Sequence, residues 1–207
     1  MAQQILKVPP TKNTLLSLKK QVKFLEEGHD LLERKRELLT RLVYERIGEY
    51  RRLREAAEKG IQEAYRCLAV TQLRMGSRAL HQASLGAEPA LHVDILPRRS
   101  LGVEYPAVTG ERRPIKPVGL LGTDASFDNT RDHLAEAALV LARLGEVEIA
   151  LHRLMEEQRK AQKRVNALKY NIIPLYQRSI HFIQSALEEE ERNTLFQVKV
   201  LREQSLV

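Results

Sequence analysis

Two stretches of this chain carry apolar residues at alternating steps of three and four, one near each end. The first runs through Leu15, Leu18, Val22, Leu25, Leu32, Leu39, Val43, Ile47, Tyr50, Ala57, Ile61, Ala64 and Leu68. The second runs through Leu144, Val147, Leu151, Leu154, Ala161, Val165, Leu168, Ile172, Leu175, Phe182 and Ala186. A mean step near 3.5 places each set on one narrow stripe of a helix. One partner helix covers such a stripe, and the simplest arrangement pairs the two ends with each other. The spacing therefore predicts an all-α chain built on a long antiparallel two-helix coiled coil, with a central loop and β-hairpin excursion at its far end.

The punctuation of the chain divides it into residues 1–81, 82–129 and 130–207. The first and last segments read as long helices. A helix over about 11–81 would be roughly 100 Å long at 1.5 Å per residue, so the expected shape is a rod. Pro9 and Pro10 cannot sit inside it, and Thr11 is the expected N-cap, with Thr14 as the alternative. Two successive steps of four at Leu39, Val43 and Ile47 form a stutter, which unwinds the supercoil locally. Several seam positions are polar, namely His29, Arg36, Arg54, Gln158 and Ser179. The two arginines are expected to face solvent or a third element, and the others are open between that and fixing the register. The middle segment holds Pro89, Pro97, Pro106, Pro114 and Pro117. Within it, residues 91–96 and 101–105 are predicted as hairpin strands, with 97–100 as their turn. Ser126, Asp128 or Asn129 is expected to cap the second long helix, and Pro174 is expected to kink it. Parallel helices would force the linker back along the whole rod, so an antiparallel pair with both termini at one end is expected.

Composition fits this architecture better than a globular core. Aromatic residues make up 5%, charged residues 29%, and there is no Trp. The net charge of +7 lies on residues 1–81, which hold 17 Lys and Arg against 10 Asp and Glu. Such an excess suits an acidic protein surface, anionic lipid or nucleic acid, or is simply a solvated helix face. No apolar run reaches the ~18 residues needed to span a bilayer, and residues 1–12 lack the apolar core of a signal peptide. A location on the cytoplasmic side is the default.

The residues of catalytic chemistry are scattered. His29, His81, His92, His133, His152 and His181 include no pair at metal-ligand spacing. Cys67 stands alone and reads as a small apolar residue beside the stripe. Gly119, Gly122 and Thr123 lack the lysine of a phosphate loop. Residues 188–191, all Glu, read as a solvated helix face. No catalytic residue, cofactor or metal site is expected, and aromatics are not clustered with basic residues as single-strand nucleic-acid binding needs.

What remains is local sequence. Pro10, Thr11 and Lys12, followed by Leu15, Leu18, Leu25, Gly28, Leu32, Arg36 and Leu39, resemble the start of the D subunit of the vacuolar/archaeal-type (V/A-type) rotary ATPases. Arg164, Val165, Asn166, Ala167 and Leu168, then Tyr170, Ile173 and Pro174, are similar to the C-terminal signature of the same family. Lys169 departs from it, standing where the family has an acidic residue. The two blocks lie in the family's order at the family's ends.

The resemblance implies a central rotor shaft that carries torque without hydrolysing ATP. Its terminal helices would stand inside a ring of catalytic and nucleotide-binding subunits. A small F subunit and a funnel-shaped rotor subunit would bind at the central-segment end, with no nucleic acid and no direct membrane insertion. The complex would be bound to the membrane and the chain peripheral to it. Phe196, Val200 and Leu201 would then touch the ring as a bearing, with Ile5, Leu6 and Val8 beside them. The competing function is a static coiled-coil adaptor or a membrane-remodelling helical hairpin.

Overall fold

The computed structural model describes residues 6–116, 118 and 122–204. Helix α1 covers Lys12–Met75 and helix α2 Ser77–Leu85. Strands β1 (Leu91–Ser100) and β2 (Val103–Arg112) form one antiparallel hairpin. Helix α3 covers Ala125–Ala167, a π-helical turn covers Leu168–Ile172, and helix α4 covers Ile173–Gln204. Long helices at both ends and a hairpin between them are the architecture that the two stripes and the central prolines predict.

Local chemistry sets the helix ends. Thr11 Oγ1 accepts the Thr14 N–H at 3.2 Å, so Thr11 is the N-cap of α1. The first helix stops earlier than the expected end near residue 81. Gly76 adopts φ 79° and ψ 155°, which breaks the helical path, and α2 then starts at Ser77. The cap of α3 also lies earlier than expected. It is Asp124, whose carboxylate accepts the Ala125 N–H at 2.9 Å and the Ser126 hydroxyl at 2.8 Å. The Ser126 hydroxyl, then Arg74 at 3.2 Å, hold that carboxyl below its ordinary pKa.

Pro174 does not end the helix. The turn before it widens, and the Ile173 N–H donates to the Leu168 carbonyl, five residues back. One extra residue per turn moves the upstream carbonyls off the pyrrolidine ring, so the helix continues through the proline. It also shifts the buried face by one position. Phe182, predicted in the seam, is 52% exposed, while Ile183 is 2% exposed.

The hairpin is longer than predicted, and its turn lies elsewhere. Residues 97–100 belong to β1, and the turn is Leu101 and Gly102, at φ 49° and 78°. A two-residue turn with positive φ at both positions matches the twist of the strands. Pro97 faces Pro106 across the ladder. Ser100 and Val103 flank the turn and exchange hydrogen bonds, so alternation makes Pro97–Pro106 a pair that needs no N–H.

The chain forms two compact units, Met1–Leu38 with Gln158–Val207, and Leu39–Glu157. In the first, Leu18, Val22, Ala161, Val165 and Ile183 are buried. In the second, Leu39, Ala57, Ala64, Val147, Ala150 and Leu154 are buried, joined by Val103 and Tyr105 of β2. A polar layer also lies inside the second unit. Thr71 Oγ1 is 2.8 Å from both Thr130 Oγ1 and the Ser126 carbonyl, and 3.0 Å from the Cys67 carbonyl. Thr71→Val keeps the shape but removes the hydroxyl that joins α1 to α3, leaving the Thr130 hydroxyl only its bond to the Ser126 carbonyl at 2.9 Å. It is expected to cost about 1–2 kcal/mol, read from the urea midpoint of the isolated chain.

Candidate functional site

In the first unit, α1 and the C-terminal helices run antiparallel. Arg36 Nη1 donates to Gln162 Oε1 at 2.9 Å, Gln177 Nε2 to Glu26 Oε1 at 3.4 Å, and Lys12 Nζ lies 2.8 Å from Glu191 Oε1. Partner numbers fall as α1 numbers rise. Their hydrogen bond holds the Glu191 carboxyl below its ordinary pKa and the Lys12 ammonium above its own. Arg36, expected to face solvent or a third element, is instead a contact between the paired helices and also holds Glu33 at 2.5 Å. Arg54 is solvent-facing, on Glu58 at 3.1 Å.

The family-signature residues divide by burial. Leu18, Leu39 and Val165 are buried, and Leu15, Leu25, Leu32, Ala167, Leu168, Ile173 and Pro174 are half-buried. Pro10, Thr11, Lys12, Arg164, Asn166 and Tyr170 face solvent. Gly28 is half-buried, yet a Cβ placed there meets nothing within 4 Å. Packing within the chain therefore does not require the glycine. Gly28→Ala is expected to raise the stability of the isolated protein by about 0.5–1 kcal/mol in thermal melts, and a loss would mean that the helix is constrained there.

Ser179, a seam position left open by the sequence, is fully buried because it meets a third element. Its hydroxyl accepts the Leu6 N–H at 3.0 Å and donates to the Leu175 carbonyl at 2.9 Å. Leu6, expected beside Phe196, Val200 and Leu201, is held at Ser179 instead. Leu6 docks 17 positions before Phe196, about 25 Å along the helix. The chain doubles back after Pro9 and Pro10 because neither proline continues a helix. Ile5 lies outside the described residues, as do Pro117 and Gly119 of the central segment.

The far part of α4 exposes its apolar side chains to solvent. Lys12, the first residue of α1, meets Glu191, and residues 191–199 are exposed on every side of the helix. Among them and just beyond, Leu195, Phe196, Val198 and Leu201 are 58–70% exposed, and Val200 is half-buried. The first unit also exposes Phe24, Leu31 and Leu38, at strict seven-residue spacing on α1. Sequence reasoning missed this second stripe, although a heptad beside the seam was its signal.

In the second unit, the outer edge of β2 lies along α3. Asp132 holds Arg112, Leu139 fills the space over Gly110, Glu146 accepts the Val108 N–H at 3.0 Å, and Arg153 donates to the Glu104 carbonyl at 2.6 Å. These four helix positions recur every seven residues, on one face of α3. Arg46 stacks over the Tyr105 ring at 5.9 Å. A separate apolar groove is lined by Ile61, Tyr65, Leu68, Leu134, Ala138 and Leu141. α3 passes beside Gly60, where a Cβ would stand at ordinary van der Waals distance, 3.8 Å, from Ala137 Cβ.

Among the described residues, no cluster of His, Cys, Asp and Glu could hold a metal, and no helix is long and apolar enough to cross a membrane. The family model for the ATP synthase D subunit matches residues 14–203. The chain belongs to the ATP synthase D-subunit family. It is 34% identical over 203 residues to the A-type ATP synthase D subunit of Pyrococcus furiosus, covering 96% of this chain and 95% of that protein. It is 35% identical over 197 residues to the V-type ATP synthase D subunit of Thermotoga neapolitana, covering 95% and 97%. The A-type ATP synthase D subunit of Methanobrevibacter smithii is 35% identical over 207 residues, covering 98% and 90%. Both kinds of name, A-type and V-type, agree with the resemblance carried by Pro10 to Leu39 and Arg164 to Pro174. The D subunit of an A/V-type ATP synthase works in ATP synthesis and ion transport as part of a multisubunit, membrane-associated complex.

Proposed function

We propose that this chain is the central rotor shaft of an A/V-type ATP synthase, passing torque between the catalytic ring and the membrane rotor. In this reading it is not itself an enzyme and binds no cofactor. The observation that carries the proposal is the exposed apolar surface at the end of α4. A helix that exposes Leu195, Phe196, Val198 and Leu201 beyond its own coiled coil loses apolar burial unless another protein surrounds it. A ring of catalytic and nucleotide-binding subunits around the terminal helices supplies that surround. Phe196, Val200 and Leu201 act there as the bearing surface, and the Phe24, Leu31 and Leu38 stripe adds a second contact line.

An asymmetric shaft explains how coupling works without chemistry on the chain. Equivalent catalytic sites around it meet different faces, and differential contact holds them in different states. The π turn before Pro174 and the uneven distribution of exposed apolar residues make the faces unequal. Residues 1–81 and 130–207 form the shaft in this account. Residues 82–129 lie at the end that receives the small F subunit and the funnel-shaped rotor subunit. The chain takes no nucleic acid and inserts in no membrane, but stays peripheral, on the cytoplasmic side.

The test is recovery of the complex through an affinity tag on this chain. The shaft reading expects the ring subunits, the small F subunit and the funnel-shaped rotor subunit in fixed stoichiometry, with ATPase activity. Deleting residues 89–117 should then lose the small and funnel-shaped partners while the ring stays bound. Unchanged binding of both would show that the ends are assigned wrongly. The static-adaptor reading expects none of these partners, and salt-dependent binding to liposomes instead.

A further inference from the structure

The two edges of the hairpin are treated differently. The outer edge of β2 is covered by Asp132, Leu139, Glu146 and Arg153 of α3. Among the described residues, the outer edge of β1 has no such cover. Which groups face outward follows from the turn. Ser100 and Val103 form a hydrogen-bonded pair, so every second pair from there is bonded and the pairs between are not. Two observations fix this alternation independently. The Arg113 N–H donates to the Ala90 carbonyl at 2.9 Å, as a bonded pair must. The Val108 N–H, outward by the same alternation, is free to reach Glu146.

On β1, the outward-facing backbone groups therefore belong to Leu91, Val93 and Ile95, which face non-bonded partners Arg112, Gly110 and Val108. Nothing among the described residues pairs with them. The usual protections of a sheet edge are missing as well. One-to-one pairing from Leu91 to Ser100 leaves no bulge, and residues 91–96 carry no Lys or Arg. The single carboxylate of β1, Asp94, lies against His92 at 3.3 Å. Ile95 and Leu96 are 67% and 62% exposed, on opposite faces. Pro97 closes the edge because it has no N–H.

We propose that this edge, Leu91 through Ile95, is a docking edge that receives an extended strand, with an acidic side chain at the end facing Arg98, from another protein of the complex. The backbone selects the kind of partner. Free N–H and C=O groups repeating every ~6.8 Å match an extended chain and not a helix. Charge selects further. Arg99 is paired with Glu104 at 2.8 Å, but Arg98 has no carboxylate partner among the described residues. A second copy of β1 would bring only its own Asp94, already engaged by His92, and another unpaired Arg98. The apolar side chains at Ile95 and Leu96 ask for apolar residues on both faces of the incoming strand. The proposal rests on the reading that the chain works inside a larger complex.

The test is residue-resolved amide hydrogen exchange on the full chain, isolated and in the complex recovered through its tag. In the isolated chain, the Val93 and Ile95 amides should exchange fast while Asp94, paired inward, is slow. In the complex, Val93 and Ile95 should slow by at least about 100-fold. Ile95→Pro removes an outward N–H without touching the ladder. It should return Val93 to fast exchange and leave Asp94 slow, which shows that the hairpin stays folded. Fast Val93 and Ile95 amides in an intact wild-type complex overturn the inference alone. Protection that grows with concentration in the isolated chain, together with a doubled mass, overturns it in favour of a second copy. A tagged chain that recovers no other protein of the complex overturns the shaft reading and this inference with it.

Discussion

A chain that stops at Leu195 is expected to keep ATP hydrolysis by the assembled complex near its full rate while ions moved per ATP fall roughly fivefold, the effect of losing about 1 kcal/mol of coupling. The removed residues include Phe196, Val198 and Leu201, all more than half exposed and all beyond Glu191, where the first residue of α1 meets α4. Their loss should leave the coiled coil below Glu191 intact. It removes a bearing, so the shaft can tilt without transmitting the full rotation. The competing reading is a frayed terminus with no role. Hydrolysis and transport are measured on one reconstituted preparation. If neither changes, the tail reading stands. If hydrolysis stops with the ring still assembled, the shaft supplies more than transmission.

Leu154→Ala is expected to destabilise the isolated chain by about 2–5 kcal/mol, the largest effect of any single truncation discussed. Leu154 is 2% exposed in the second unit, so deleting its side chain leaves a cavity that the surrounding helices only partly close. Leu73→Ala is the matched control. Leu73 is 87% exposed on α1, and its loss should stay within about 0.5 kcal/mol. Urea unfolding followed by circular dichroism separates the two. Equal effects would mean that Leu154 is not where the packing energy lies.

The helices were legible because a buried stripe needs a repeat and the repeat survives polar interruptions. Leu18, Val22, Leu39, Ala64, Leu154 and Val165 all lie where the three-four spacing puts them. The spacing could not reveal the π turn. One inserted residue changes the apolar pattern no more than a conservative swap of neighbours does, so the spacing picks Phe182 for the seam position that Ile183 fills. Prolines misled the reading of the hairpin. Pro97 looked like a turn residue, but in a two-stranded ribbon a non-bonded position tolerates it, and Pro106 faces it for the same reason. The cap at Asp124 was missed in favour of later residues, because Ser126 and Asp128 are equally good caps by type and only the backbone path decides. Ser179 was undecidable for a different cause. Its partner, Leu6, is 173 positions away in sequence.

The candidate partner surfaces were less legible. Phe196 and Leu201 stood out as apolar residues near a chain end, whereas Tyr65, Leu134 and Leu141 become a groove only when α1 and α3 are side by side. The open edge of β1 could not be read at all from sequence, since which amides face outward depends on the turn at Leu101 and Gly102.

Rotation of the chain within its complex tests the shaft reading most directly. Gln82, an exposed residue of α2, takes a probe as Gln82→Cys in a Cys67→Ser background, the chain having one cysteine. The ring is fixed to a surface and ATP is added. The account predicts that the probe turns continuously in one direction, in steps that follow ATP concentration. A probe that stays still while the same molecules hydrolyse ATP would contradict it.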